Sequence, residues 1–224
     1  MAHQTVKSGH EELVDRLNRF PQGAPPSELL YRILEMLFSE REAGLVATLP
    51  IRPFTADRAA RIWRMPVAEA RSVLDELAGR AVLVDIPADG ATTYVLPPPM
   101  AGFFEFSMMR VRDDLDQRLL AELFYEYLNV EEEFIRALFT EGETQLGRVF
   151  VSEPSLPTGP TLRVLDWERA THVVETASAI GVGICYCRHK MEHLDRVCDA
   201  PLDICMTFNS TASALARHGH ARAV

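Results

Sequence analysis

All four cysteines of this 224-residue chain fall between Cys185 and Cys205, so any joint role they have is confined to one short segment. The pattern is Cys185-Tyr-Cys187, ten residues, Cys198, six residues, Cys205. No earlier thiol exists to pair with them. A disulfide framework restricted to one segment would add little to a chain that is 47% hydrophobic and can build its own core. Four soft thiolates around one inorganic centre account for the clustering better, because iron-sulfur clusters are held by cysteine thiolates.

Zinc is the principal alternative, since it also accepts four thiolates or mixes cysteine with histidine, and His189 and His193 lie in the same stretch. Structural zinc sites pair their cysteines about two to four residues apart. Neither half of this motif has that spacing, and the two histidines read as surface groups. Unligated thiols are the remaining reading, with Cys185 and Cys187 as a redox pair. Arg188, Lys190 and Arg196 interrupt the motif with positive charge and are candidates to surround an anionic cluster and tune it. Gly181 and Gly183, just upstream, suit close approach of backbone to such a group.

Charge narrows the partners. With 23 Lys and Arg against 32 Asp and Glu the net charge is -9, which opposes a general affinity for polyanions. No apolar run is long enough to span a bilayer, and the N-terminus has no signal-peptide pattern. A cytoplasmic location is expected. Phosphate-binding glycine loops, the H-E-x-x-H metalloprotease motif and the G-x-S-x-G elbow are all missing from the sequence, so no catalytic residue is assigned.

Along the chain, Glu11 to Phe20 reads as a short helix and Pro21 to Pro26 as a linker, giving a first unit over 1–26. Leu29, Leu30, Ile33, Leu34, Leu37 and Phe38 then recur at helical spacing behind Ser27, which is placed to cap them. A helix from Thr55 and another from Pro66 are next, joined by a tight turn. Val82, Val84 and Ile86 alternate as a strand, Asp89-Gly90 turns the chain, and Thr92 to Leu96 returns before the proline triplet at 97–99. That order predicts a winged-helix-like domain over 27–99.

The face of its third helix carries Glu69, Ser72, Asp75 and Glu76 beside Arg71 and Arg80, which favours protein contact over DNA. Arg58, Arg61 and Arg64 point the other way. A helical connector over 100–145 comes next, with Leu115, Leu119, Leu123 and Leu128 inside and a break near Asn129. Phe103, Phe104, Phe106, Met108 and Met109 read as core. The remainder, 146–224, is the cysteine domain, with short strands expected at 148–152 and 162–165, Pro154, Pro157 and Pro160 at its boundary, and a helix capped by Asp166 running toward Gly181. The fold expected is α+β and mostly helical, with a winged-helix-like N-terminal domain, a helical middle and a small cysteine-rich α/β segment.

The stretch GVGICYCRHKMEHLDRVCDAPLDICMTFN resembles the ferredoxin-like 4Fe-4S binding proteins, whose members carry I-C-Y-C-R-x-K followed by C-x-x-P-L-x-x-C. The likeness covers about the last quarter of the chain. It implies that Cys185, Cys187, Cys198 and Cys205 are ligands of one 4Fe-4S cluster and that the protein exchanges single electrons with a partner oxidoreductase, without itself being a stand-alone enzyme. Relatives of this type carry a winged-helix-like N-terminal region and continue into further C-x-x-C-x-x-C segments, which are missing after His218 here, so a single-cluster or truncated member is expected. The alternative functions are a redox- or iron-sensing winged-helix regulator and a zinc-stapled interaction module. A homodimer is compatible with the sequence, although one chain already supplies a full set of thiolates.

Overall fold

In the computed structural model, residues 7–20, 23–88, 90–139 and 167–224 are described. The strands expected at 148–152 and 162–165, the prolines at 154, 157 and 160, the Asp166 cap, Asp89 and the start of the 21–26 linker lie outside them. The chain is α+β and mostly helical, with two small antiparallel sheets.

Helix α1 (Gly9–Leu17) begins at a capping box in which Ser8 and Glu11 satisfy each other's backbone N–H groups. Its apolar face, Leu13, Val14 and Leu17, is buried against α3 (Glu40–Ala47). Packing therefore does not break at Ser27. The buried face of α1 belongs to the same core as Leu30, Ile33 and Leu34, and the Asn18 side chain ties down Ala24 on the way. Helix α2 (Glu28–Leu37) starts as expected, with the Ser27 hydroxyl accepting from the Leu30 N–H, and buries Leu30, Ile33, Leu34 and Leu37.

Strand β1 (Phe54–Thr55), helix α4 (Ala56–Trp63) and helix α5 (Val67–Gly79) come next. Arg64 ends α4 in the left-handed region at φ 54°, which turns the chain sharply into Pro66. Strands β2 (Val84–Ala88) and β3 (Ala91–Val95) pair as a hairpin, Val84 opposite Val95, and β1 adds to the far side of β3 through Phe54 and Tyr94. An irregular turn at Pro99–Phe103 leads to the short helix α6 (Phe104–Ser107). Phe103, Phe104, Phe106, Met108 and Met109 are all buried, and Phe104 packs on Phe103 and Phe124 with ring centroids 4.9 and 5.0 Å apart.

Helix α7 (Gln117–Tyr125) continues through a π turn at Glu126–Val130 into α8 (Glu132–Phe139). The chain leaves helical conformation at Glu131, whose backbone is extended at ψ 119°, so the helix breaks two residues beyond Asn129, near the expected place. After α9 (Trp167–Thr176), strand β4 (Ile180–Gly183) enters the second sheet, whose order is β5, β4, β6. Helix α10 (Tyr186–His193) crosses to α7, strand β5 (Cys205–Phe208) returns beside β4, helix α11 (Asn209–Arg217) packs on both strands, and β6 (Arg222–Ala223) closes the edge.

This C-terminal unit is locked to the first sheet through Asp85 on β2. Its carboxylate accepts from Arg217 Nε at 3.1 Å and lies 3.0 Å from His218 Nε2, while Arg217 also donates to the Asp85 carbonyl at 2.9 Å. Burial opposes ionisation of Asp85, but hydrogen bonding and charge from Arg217 and the contact with His218 outweigh it and hold the carboxyl below its usual range. Beside them His220 Nε2 donates to the Gly79 carbonyl at 3.0 Å.

Candidate functional site

Strand β4 and helix α10 put Cys185 and Cys187 in place. Cys185 is the residue before α10, its N–H donating to the Leu202 carbonyl at 2.6 Å and its carbonyl accepting from the His189 N–H at 2.9 Å. The first bond ties the start of the motif to the loop that carries Cys198 and Cys205. Between the pair, Tyr186 turns inward and packs edge-on against Phe124, with centroids 5.8 Å apart. Cys205 opens β5 directly opposite Gly183. The register thus brings the last cysteine beside the residue two before the first.

None of the four cysteines forms a disulfide; Cys187 and Cys198 are exposed, Cys185 and Cys205 half-buried. Cys185, Cys187 and Cys205 lie within electrostatic reach of one another. Burial and then the neighbouring thiols push the Cys187 and Cys205 thiols up. Cys198 joins the group through Arg188, whose guanidinium donates from Nε to the Cys198 sulfur at 3.4 Å and from Nη1 to the Cys185 sulfur at 3.7 Å. The backbone N–H of Ala200 and this guanidinium lower the Cys198 thiol. Among the described residues, no three His, Cys, Asp or Glu side chains are gathered tightly enough to hold a single metal ion.

Of the three cations in the motif, Arg188 touches sulfur. Lys190 is buried, its Nζ donating to Asn129 Oδ1 at 2.9 Å and lying 5.4 Å from the centre of the Tyr186 ring. Burial pushes its ammonium down, while Cys187 and Glu105 act to hold it up. Arg196 lies 5.4 Å over the Tyr125 ring and donates to that phenol, with no contact to a cysteine sulfur among the described residues. His189, expected at the surface, is buried with Nδ1 against the Met108 carbonyl at 2.7 Å. His193 is half-buried, its ring 4.8 Å from that of His189.

The glycines also differ from expectation. A Cβ on Gly181 would meet Thr207 and Ala221, and one on Gly183 would lie 2.5 Å from the His220 carbonyl. Their smallness admits protein, the C-terminal strand and loop, rather than a bound group. Glu105 on α6 is a further member of the site that sequence alone does not single out. Its carboxylate accepts from the Gly102 N–H at 2.9 Å, burial pushes its pKa up, and its charge reaches Cys187 and Cys205. The sequence does hold one signal for it, since a lone glutamate in an otherwise apolar run of aromatic and methionine residues needs a buried partner.

In the N-terminal region, Glu69 pairs with Arg41 at 3.3 Å, and Asp75 accepts from the Tyr94 hydroxyl at 2.5 Å. Arg58, Arg61 and Arg64 retain exposed surface, the last two beside an open groove of about 570 Å³ at the turn between α4 and α5. Comparison with protein-family models, with curated proteins and with solved structures returned no match. Among the described residues, no helix is long and apolar enough to cross a membrane.

Proposed function

We propose that the chain holds one 4Fe-4S cluster through Cys185, Cys187, Cys198 and Cys205 and exchanges single electrons with a partner oxidoreductase. The observation that carries this is the gathering of every thiol in the chain at one place: three within mutual electrostatic reach and the fourth joined by the Arg188 guanidinium. The donor set fits the group, since four thiolates are what a cubane requires, and donors aimed at sulfur stabilise an anionic cluster. When bound, the cluster supplies a reversible one-electron couple.

This chain's residues would do the rest. Arg188 donates to two ligand sulfurs, Lys190 places a buried positive charge within reach of Cys187, and Tyr186 and Phe124 wall the inner side with aromatic surface that excludes water. Four unpaired thiols suit a reducing compartment, which supports a cytoplasmic location.

The N-terminal region reads as winged-helix-like on the order α3, β1, α4, α5, β2, β3 with sheet order β1, β3, β2, and its role in this proposal is to dock a protein. The regulator reading has one observation in its favour, the cluster of Arg58, Arg61 and Arg64 with no ion pair among the described residues. Fluorescence anisotropy on duplex DNA at low and moderate salt separates the two, because a regulator binds with a salt slope.

The deciding experiment is anaerobic purification followed by iron, acid-labile sulfide and zinc analysis, with visible spectra before and after dithionite. About four irons and four sulfides per chain with bleachable colour support the cluster. Stoichiometric zinc without colour overturns it in favour of a structural staple.

A further inference from the structure

The four thiols are not equally covered. Cys185 and Cys205 are half-buried, whereas Cys187 and Cys198 are exposed, so a group held between them presents one edge to solvent. The opposite side is closed by the buried residues Tyr186, His189 and Lys190. Around the open edge the loop places two large apolar side chains in water, Val197 at 41% and Ile204 at 43% exposure. Isolated exposed apolar residues are ordinary, but these directly adjoin Cys198 and Cys205 in sequence. They offer a dry contact where electrons must cross.

The charge around that edge selects the visitor. Asp195, Asp199 and Asp203 are all exposed on the same loop. The motif's three cations offset them only in part: Arg188 is turned to the sulfurs, Lys190 is buried, and Arg196, over Tyr125, is the one exposed guanidinium on the loop against three exposed carboxylates. Four thiolates add negative charge at the centre whichever oxidation state the group holds. We propose that the Cys187–Cys198 edge is the docking face, and that its partner is a one-electron redox protein presenting an apolar contact ringed by lysine and arginine.

This docking face rests on the cluster proposed above. In transfer, one electron leaves the reduced cluster and reduces the partner's one-electron centre, with no bond made or broken. Complementary charge raises the encounter rate and fixes orientation, and both effects weaken with salt.

Cytochrome c, a basic one-electron protein, is the probe. With both proteins oxidised, no electron moves, and isothermal titration calorimetry reads binding alone. Iron and sulfide content is measured on each sample first. A protein without them refutes the cluster, while a loaded protein that fails the binding test refutes only the docking face.

The expected result is binding at 10 mM salt that weakens at least about tenfold at 300 mM. The triple variant Asp195→Asn, Asp199→Asn, Asp203→Asn is expected to weaken it about fivefold or more at low salt. Asparagine tolerates the left-handed φ of 56° at position 195. A control triple of exposed acids elsewhere, Glu12→Gln, Glu35→Gln, Glu76→Gln, removes the same formal charge and is expected to change binding less than twofold.

Should the loop variant lose its iron, Val197→Lys tests the same face by adding charge at an exposed position, and is expected to weaken binding at least about threefold. In dithionite-reduced protein the rate of cytochrome c reduction is expected to fall in the same order. Equal losses in the loop and control triples, or no binding by the loaded wild type, overturn the proposal.

Discussion

The Arg188 guanidinium donates to the Cys198 sulfur at 3.4 Å and thereby ties an exposed arm of the cysteine loop to the start of α10. The bond favours the thiolate, so the Cys198 thiol is shifted down whereas those of Cys187 and Cys205 are shifted up. In metal-free protein, Cys198 is therefore expected to alkylate with iodoacetamide at lower pH than Cys187 or Cys205. Arg188→Gln should move the Cys198 midpoint upward while leaving the other two near their original values. Mass spectrometry of the alkylated peptides across a pH series reads both effects. In iron-loaded protein the same variant is expected to lower the midpoint potential, on the order of tens of millivolts, because a donor to the anionic group is lost.

Replacing any one of Cys185, Cys187, Cys198 or Cys205 with alanine is expected to reduce iron to under about half of the wild-type content while the N-terminal core survives. Among the described residues, that core takes one buried apolar side chain, Tyr186, from the cysteine segment, with His189 bonded to the Met108 carbonyl beside it. Far-ultraviolet circular dichroism should therefore change little in all four variants, and iron analysis should separate them from any control substitution. Retention of full iron in one variant would remove that cysteine from the ligand set.

Asp85→Ala removes the buried acceptor shared by Arg217 and His218 and leaves the exposed Arg217 guanidinium without its carboxylate. The expected loss is about 2 kcal/mol, read as a lower midpoint in urea. A double variant with Arg217→Met should lose less than the sum of the two single variants, since the lone partner is what costs most.

Burial, helped by the nearby Arg110 and Arg112 charges, pushes the His220 imidazole down to about 4 from the ordinary 6.5 and outweighs the bond to the Gly79 carbonyl, which favours the protonated ring; the other ring nitrogen is buried with no partner among the described residues. The unfolded chain binds this proton more readily than the folded one. Its contribution to stability is thus fully present above pH 6.5 and is lost as pH falls toward 4, amounting to on the order of 3 kcal/mol in total. Denaturation midpoints measured from pH 7 to pH 4 should fall, and His220→Gln should flatten that part of the curve.

The helices with strong local signals are legible in the sequence. Ser27 caps α2, Thr55 caps α4, and the apolar periods behind them match the buried faces. Helix α3 is harder to read although Ser39-x-x-Glu42 is a capping box, because Gly44 and its short length weaken the periodic signal. Strands β4 and β5 carry no local signal either. Ile180–Gly183 is half glycine, and Cys205–Phe208 gains its identity only by pairing with it.

The same non-locality hides much of the site. Spacing points to the cysteines and to Arg188, but the partners of Lys190 and His189 are Asn129 and Met108, far earlier in the chain. A sequence shows charge and period; it does not show which distant carbonyl will face a given imidazole.

Tyr186 carries a last consequence. Because its ring belongs to the main buried cluster, the backbone on either side of it, and with it the spacing of Cys185 and Cys187, is set when that cluster forms. Residues 194–204 contribute no side chain to either buried cluster among the described residues. The site is thus built like a vice with one fixed jaw and one that must close, and most of the conformational entropy of closing it falls on the second. Stiffness in that loop, which Pro201 already supplies at one point, then governs how tightly the fourth arm is held without altering a single ligand atom.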